Sequence, residues 1–530
     1  MQYNIYKIDK KQKLLDDIIS KEYISNGNII TSGEFQMQLY YSKKETSTIS
    51  WQKILNNFGV NVSIEKDSLK GILIASSNKE TYAITYGMSS SLVQKYCDSE
   101  FPMEIAKRIE MSKVKRKASK ILNGSTNGLV KTLTNSNVIV IDKGESVVNL
   151  EIIPSESENL GKVIGIGKSI RVNLDKDIEQ FYEIISSLSN INSRNIKRPI
   201  PLLIKVKNEE LITKIWEYLN NKFINNIENP EFSLNDMNIL GSSIYFNDNF
   251  RLELNFKNNK EEIPILNTYY VNEFIMKYKI NPKDVYDYLK IKYISEDNNY
   301  FIKSFKEIVT FDFQYEDDKY VVYDGDIYYY NDDFLNDIIE GLKYIEFKKY
   351  NKEDDKSNEW YHNYLVENEM VDVRDKNKED KKAIYREQAI NMFISSQYGL
   401  DNLDRDLVKI CEGENYKIEI ADLACDEILY AVKVGTPRDF CYAIDQSNLV
   451  LDAFTANSNE TDEIIKKYKN VKEIGLWLFT TGKNTFFDKD GNIDVLNFDS
   501  IMFLNKLVEW ANKVISTNRR PVVKINYYKS

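Results

Sequence analysis

Histidine is almost absent from this sequence of 530 residues. The single histidine, His362, lies in a polar segment rich in charged residues. A Ser-His-Asp triad, a histidine-ligated metal site and a histidine proton shuttle would each need that one residue. Hydrolytic chemistry in this chain is therefore expected to use carboxylates, lysine, tyrosine or a hard metal ion.

Cysteine is also scarce, and its spacing excludes the usual metal and redox motifs. The four cysteines, Cys97, Cys411, Cys425 and Cys441, form no closely spaced pair of the kind that zinc or thioredoxin-like sites need. The sequence therefore predicts no zinc site and favours reduced, buried thiols in a cytoplasmic protein.

Long apolar runs are missing as well. No run approaches the ~20 apolar residues of a membrane-spanning helix, and the first residues lack the apolar core of a signal peptide. We therefore expect a soluble, cytoplasmic protein with no membrane partner.

A broad basic surface is excluded by the formal net charge of -10. One local segment is nevertheless strongly basic, with seven cations in fourteen residues. These cations are Lys107, Arg108, Lys113, Lys115, Arg116, Lys117 and Lys120. They could bind nucleic-acid phosphates, or they could form the solvated face of a helix.

A glycine-rich stretch at 161–169 does not match a nucleotide-binding loop. Gly161 and Gly167 enclose five residues where a P-loop has four, and Ile170 stands where the dinucleotide motif needs a third glycine. We expect a glycine-rich strand and turn here, and no nucleotide cofactor.

The order of apolar patterns predicts a multidomain protein of the α+β or α/β class. Strand-then-helix patterns alternate through the first half, and Tyr-rich strand candidates follow, with tyrosines that we expect to pack in sheets. Charge becomes dense at 348–382, which predicts a linker. The predicted division is an N-terminal domain at 1–135, a middle domain at 136–347 and a C-terminal domain at 383–530.

Only between Glu387 and Gln446 do residue spacing, charge and predicted secondary structure together indicate a chemical site. Glu387 lies in a predicted helix, and two alternating apolar runs, 417–423 and 428–434, predict a strand hairpin that turns at 424–427. Such a hairpin would bring Glu419, Asp422 and Lys433 together. The same pattern also fits a plain cross-strand ion pair between Glu419 and Lys433.

Several separated blocks carry a family resemblance. They are Tyr82-Ala-Ile-Thr-Tyr-Gly87, the strand pair that begins at Tyr320, Glu387 with Asn391, the run at 418–423 followed by Val432-Lys433, and Phe486-Phe487. In these blocks the chain resembles the sporadically distributed family of uncharacterised bacterial proteins found near mobile and defence genes. The family's usual histidine before Val-Lys is Ala431 here, and the block at 101–108 is poorly kept. The resemblance implies a role in phage or plasmid conflict and no established reaction.

The C-terminal part resembles the restriction-endonuclease-like, or PD-(D/E)XK, core, in which a mixed sheet is flanked by helices. By this resemblance Asp422 and Glu419 would be Mg²⁺ ligands, Lys433 the catalytic cation, Glu387 the helical carboxylate and Gln446 a residue that orients the backbone. Ala431 occupies the acidic position of the acid-x-Lys motif.

Three interpretations therefore remain open. The chain could be a Mg²⁺-dependent nuclease, an inactive nuclease-like module that binds DNA or RNA, or a sensor that recognises a phage protein. A homo-oligomer is compatible with all three.

Overall fold

The computed structural model describes most of the chain. The described residues are 2–25, 28–46, 66–86, 89–122, 127–142, 144–173, 178–225, 233–234, 251–264, 266, 268–294, 300–348, 357–372, 382–404, 407–409, 417–455, 467–468, 470–480, 497 and 500–528. The sequence pattern also predicts a helix at Trp51 and a strand at 243–246. Both lie outside the described residues, as does the Phe486-Phe487 block. Among the described residues, no helix is both long enough and apolar enough to cross a membrane.

The chain divides into two compact units. The first contains Met1–Lys120, Leu129–Ile141 and Ser146–Leu202, and the second contains Ile121–Gly128, Asp142–Glu145 and Leu203–Ser530. The predicted three-domain division stays a prediction.

The first unit is built on a ten-stranded sheet. Its strands are β1 (Gln2–Lys7), β2 (Ile29–Ser32), β3 (Phe35–Thr46), β4 (Lys66–Ser76), β5 (Thr81–Tyr86), β6 (Met111–Leu122), β7 (Asn127–Ser136), β8 (Glu145–Pro154), β9 (Ile164–Ile166) and β10 (Ile170–Asn173). They are ordered β2-β3-β4-β5-β1-β10-β9-β8-β6-β7. The glycine-rich stretch forms the β9-β10 hairpin, as the strand-and-turn prediction requires.

The described helices that accompany this sheet are α1 (Lys11–Ser20), α2 (Ser90–Val93), α3 (Phe101–Arg108) and α4 (Ile178–Asn192). Leu14 and Ile18 are one turn apart on α1, so both side chains reach the core, where Tyr6, Ile72 and Ala83 of the sheet contribute to the same cluster.

The second unit begins with two antiparallel sheets. The first sheet is ordered β11-β19-β18-β17-β12, with β11 (Leu203–Lys205), β12 (Ser233–Leu234), β17 (Val309–Tyr315), β18 (Asp318–Tyr323) and β19 (Asp326–Tyr330). The second is ordered β14-β13-β15-β16, with β13 (Arg251–Phe256), β14 (Asn259–Ile263), β15 (Lys290–Ile294) and β16 (Tyr300–Ser304). Their helices are α5 (Glu209–Asn225), α6 (Thr268–Lys277), α7 (Val285–Tyr288) and α8 (Phe305–Ile308).

The C-terminal sheet is mixed, and its order is β20-β29-β28-β27-β26-β23. Its strands are β20 (Glu346–Phe347), β23 (Asp401–Asn402), β26 (Leu423–Ala424), β27 (Ile428–Gly435), β28 (Glu473–Thr480) and β29 (Arg520–Tyr527). β20, β29, β28 and β27 are parallel, whereas β26 and β23 are antiparallel to their neighbours. Two small pairs lie outside this sheet, namely β21 (Met370–Asp372) with β22 (Lys382–Ile384) and β24 (Leu407–Lys409) with β25 (Lys417–Glu419).

Helices cover both faces of this sheet, because residues on both faces of β27 are apolar. The helices are α9 (Asp332–Leu342), α10 (Ser357–Glu367), α11 (Arg386–Tyr398), α12 (Pro437–Thr455) and α13 (Ile501–Ser516). Leu429 and Ala431 share a core with α12 and α13, and Tyr430 and Val432 share a different core with α11. The structure is thus α+β with several sheets, which confirms the predicted class in its coarse form.

The segment that the sequence predicts as a linker contains defined elements. Helix α10 lies within it, and Tyr364, Leu365 and Met370 pack against the core that α11 shares with the sheet. High charge density therefore did not prevent local order.

Candidate functional site

Helix α11 brings Glu387 to the carboxyl end of β27. Glu387 lies in the first turn of α11, one turn before the buried Asn391. Its Oε2 accepts a hydrogen bond from Lys433 Nζ at 2.8 Å, and its Oε1 accepts one from the Val434 backbone N–H at 3.4 Å. Lys433 is thus paired with the helical carboxylate.

Asp422 lies at a break between two short strands. The β25 strand ends at Glu419 and β26 begins at Leu423, so the continuous strand predicted at 417–423 is wrong. The predicted hairpin is confirmed by the antiparallel pairing of β26 with β27, and its turn begins one residue later than predicted, at Cys425. The Asp422 N–H donates to the Tyr430 carbonyl at 3.0 Å, and Asp422 Oδ2 accepts from the Val432 N–H at 2.6 Å. Because Asp422 lies outside both strands, its side chain can turn toward the backbone of β27.

Ala431 lies on β27 between the two residues whose backbone groups bind Asp422. The Tyr430 carbonyl accepts from the Asp422 N–H, and the Val432 N–H donates to Asp422 Oδ2. This chain has a methyl group at position 431 and no acid.

A third carboxylate comes from a residue that the sequence did not single out. Asp404 follows β23, and its neighbour Leu403 donates a backbone hydrogen bond to the Asp422 carbonyl at 2.9 Å. One carboxylate oxygen from each of Asp404, Glu419 and Asp422 lies within 4.8 Å of the other two. We refer to these three residues as the carboxylate cluster.

Gln446 contacts the cluster and not the backbone. It lies on α12, and its Nε2 donates to Glu419 Oε2 at 3.2 Å. The amide therefore holds the Glu419 side chain in place, which differs from the predicted role of orienting the backbone.

Burial and nearby charge disfavour the ionised form of Asp422 when no cation is bound. Asp422 is 7% exposed. Loss of solvent, together with the nearby Glu419, Asp404 and Glu387 carboxylates, raises its pKa to about 8, while the Val432 N–H opposes the shift. A bound cation would favour the ionised form of Asp422.

The donor set suits a hard divalent cation. All three donors are carboxylate oxygens, the ligands that Mg²⁺, Mn²⁺ and Ca²⁺ prefer. Opposite ligands of Mg²⁺ are about 4.2 Å apart, so donors within 4.8 Å of one another need only small side-chain movements.

The predicted basic segment does not form one surface. Lys107 and Arg108 end helix α3, and the remaining cations lie on the strand β6, so the helix interpretation is wrong for them. Lys107 and Arg108 both bind Glu104, and the buried Lys117 donates to the Val140 carbonyl at 2.7 Å. Arg116 is 3.6 Å from Glu151. The others, Lys113, Lys115 and Lys120, are partly exposed on β6.

The fold and the site together define an α+β protein in which three carboxylates cluster where β26 begins, and Lys433 of β27 pairs with Glu387. The chain belongs to a family of unknown function (DUF6119), whose sequence model matches residues 3–487 and so includes the whole cluster. No curated protein and no solved structure matches the chain.

Proposed function

We propose that the C-terminal sheet carries a Mg²⁺-dependent phosphodiester hydrolase that acts on DNA or RNA. The observation that carries this proposal is the cluster of Asp404, Glu419 and Asp422, in which a buried carboxylate is held against two others. Ionisation of all three carboxylates is favoured when a cation binds, and the arrangement needs no histidine.

The order of elements supports the same proposal. A helix with Glu387 precedes the antiparallel strands β23, β26 and β27, and helix α12 then leads to the parallel strand β28. This order is similar to that of the restriction-endonuclease-like core. Ala431 removes the usual acid from β27, and Asp404 supplies a third carboxylate from the turn after β23.

Each residue has a distinct part in this proposal. Asp404, Glu419 and Asp422 would hold the cation, and Gln446 keeps Glu419 in position. Mg²⁺, when bound, would lower the pKa of a coordinated water and shield the phosphate charge. Lys433 would stabilise negative charge that develops on the phosphate, and Glu387 holds the Lys433 ammonium at the end of β27.

Cleavage of labelled DNA and RNA in Mg²⁺ or Mn²⁺ tests this proposal. We expect Lys433→Ala and Asp422→Asn each to lower kcat by at least about 100-fold. Asp426→Asn is the matched control, because Asp426 is an exposed carboxylate in the turn that follows β26. Cleavage that survives both site substitutions would refute the proposed hydrolase activity. Wild-type protein that cleaves neither in Mg²⁺ nor in Mn²⁺ would also refute it.

Ala431 favours a second candidate, an inactive module that binds nucleic acid. Loss of an acid from β27 is the kind of change that abolishes hydrolysis while the surrounding surface stays intact. This candidate requires binding in EDTA with a steep salt dependence and no cleavage in any divalent metal.

A role in phage or plasmid conflict is supported only by the resemblance of the sequence blocks. Plaque counts on cells that carry the intact gene or its Lys433→Ala variant test that role. Protection that requires Lys433 is the expected outcome, and equal plaque counts with and without the gene would exclude it for the phages tested.

A further inference from the structure

The four-stranded sheet of the second unit has two very different faces. One face carries Leu254, Ile291 and Tyr293, which are buried in a core with helices α6 and α7. Because side chains alternate along a strand, every second residue must point to the opposite face. Strand register shows which residues share that outer face.

The outer face is rich in cations and carries an exposed aromatic ring. Paired positions place β13, β15 and β16 side by side, with Lys292 opposite Ile302 and Ile294 opposite Tyr300. Tyr300 is 61% exposed and Ile302 is 49% exposed. The Lys292 Nζ lies 4.3 Å from the centre of the Tyr300 ring. An exposed tyrosine, an isoleucine and a lysine therefore meet on one flat surface.

Charge on this face is opposite in sign to that of the whole chain. The described cations of the face are Arg251, Lys260, Lys290 and Lys292, and its described carboxylates are Glu253 and Glu262. Four cations against two carboxylates give the face a positive balance in a chain of net charge -10. This local balance favours a polyanion as the occupant.

We infer that the outer face of β14-β13-β15-β16 binds single-stranded nucleic acid. Bases that are free of a duplex stack on exposed aromatic rings, while phosphates bind to lysines along the strands. Tyr300 would stack a base, and Lys260, Lys290 and Lys292 would contact the backbone.

The exposed Tyr300 ring distinguishes single strands from duplexes. A duplex hides base faces, so this surface should prefer single strands.

Binding of fluorescein-labelled oligo-dT and oligo-rU to the full chain in EDTA tests the inference. Chelation keeps this measurement independent of the proposed metal site, so either proposal can fail without the other. We expect Tyr300→Ala to weaken binding about tenfold and Tyr300→Trp to retain it. Replacing Lys290 and Lys292 by alanine should reduce the salt slope by about 0.7 for each phosphate that the variant no longer neutralises.

A matched control lies in the same part of the chain. Tyr288 is 55% exposed, and Lys257 lies over its ring at 6.0 Å, but it belongs to helix α7 and not to the outer face. Tyr288→Ala should leave affinity unchanged.

Four results would overturn the inference. They are wild-type affinity in Tyr300→Ala, equal losses in Tyr300→Ala and Tyr288→Ala, duplex binding as tight as single-strand binding, and loss of binding only when Lys113 and Lys115 on β6 are replaced. Circular dichroism and the melting temperature establish that each variant is folded.

Discussion

Asp422 makes both backbone and side-chain contacts in the candidate site. Its backbone N–H binds the Tyr430 carbonyl, its carboxylate binds the Val432 N–H, and two further carboxylates lie close to it. The pKa of about 8 means that the folded protein retains a proton that the unfolded chain releases near pH 4. In the absence of metal, stability should therefore fall as pH rises from about 4 to about 8.

Replacing Asp422 by asparagine should remove that pH dependence. The asparagine Oδ1 can still accept from the Val432 N–H, and no charge is buried. Thermal unfolding in EDTA at about pH 8 should show a variant more stable than the wild type by on the order of a few kcal/mol. Stabilisation by Mn²⁺ should disappear in the same variant. A variant less stable than the wild type at this pH would contradict this account of Asp422.

Sequence patterns identified Glu387, Glu419 and Asp422 because each stands at a regular position in an apolar pattern. Asp404 has no such marker. It reaches the cluster only because the Leu403 N–H binds the Asp422 carbonyl, a contact that depends on how the strands pair. Asp404 lies in the segment between the helix and the predicted hairpin, so a search for every acid in that segment could have included it.

At the scale of elements, Gly435 forms the join between β27, which carries Lys433, and α12. Gly435 has a φ of +156°, and a Cβ there would approach Asp439 Oδ2 to 2.1 Å. That carboxylate accepts from the Thr436 N–H at 2.8 Å and from its hydroxyl at 3.0 Å, which caps the start of α12.

Gly435→Ala should therefore destabilise the protein by about 1–3 kcal/mol, through strain and loss of the cap. Gly399→Ala is the control, because Gly399 also has a positive φ but has nothing within 4 Å of its Cβ position. We expect this control to cost only about 1 kcal/mol in urea unfolding. Equal effects of the two substitutions would exclude the cap as the cause.

A half-buried acid binds the first residues of helix α13. Asp312 on β17 accepts from the Met502 N–H at 2.7 Å and from the Ser500 hydroxyl at 3.0 Å. Burial raises its pKa to about 6, although these hydrogen bonds favour the ionised form. The folded state thus holds an extra proton between about pH 4 and pH 6, and stability should fall as pH rises through that window.

Asp312→Asn should flatten the dependence of stability on pH between about 4 and 6, by on the order of 1–3 kcal/mol. Urea unfolding at several pH values measures this change. Asp426→Asn, at an exposed position, is the control. A slope unchanged by Asp312→Asn would show that another group titrates in this window.

Local patterns predicted strands on both sides of the hairpin turn but not the break at 420–422. Apolar residues continue at Ile418, Ile420 and Leu423, so the pattern gives no sign that the chain leaves the ladder. The break arises because β25 pairs with β24, and β26 pairs with β27. Which strand each segment pairs with depends on long-range contacts, so the local apolar pattern does not reveal it.

At the scale of the whole molecule, the strongest change in amino-acid composition does not mark the boundary between the two compact units. The strongest change of composition, at 348–382, lies inside the second unit. Charge density reports how well a segment is solvated, whereas a unit is defined by the core that its residues share. Part of this segment packs on the C-terminal core through Tyr364 and Leu365.

The two proposed surfaces should have separable effects on hydrolysis of long single strands. Tyr300 lies on the outer sheet face and the carboxylate cluster on the C-terminal sheet, so they should contribute to different steps. We expect Tyr300→Ala to raise KM about tenfold with kcat unchanged, and Lys433→Ala to lower kcat. Steady-state kinetics measure both constants. A loss of kcat in Tyr300→Ala would show that the two surfaces are not separable.

We expect Asp404, Glu419 and Asp422 together to hold a divalent cation. A crystal soaked in Mn²⁺ at about pH 8 and recorded at the manganese absorption edge tests this most directly. We predict one anomalous peak within about 2.0–2.4 Å of an oxygen from each of the three carboxylates. A fully ordered cluster without an anomalous peak, or a peak that contacts none of the three, would contradict it.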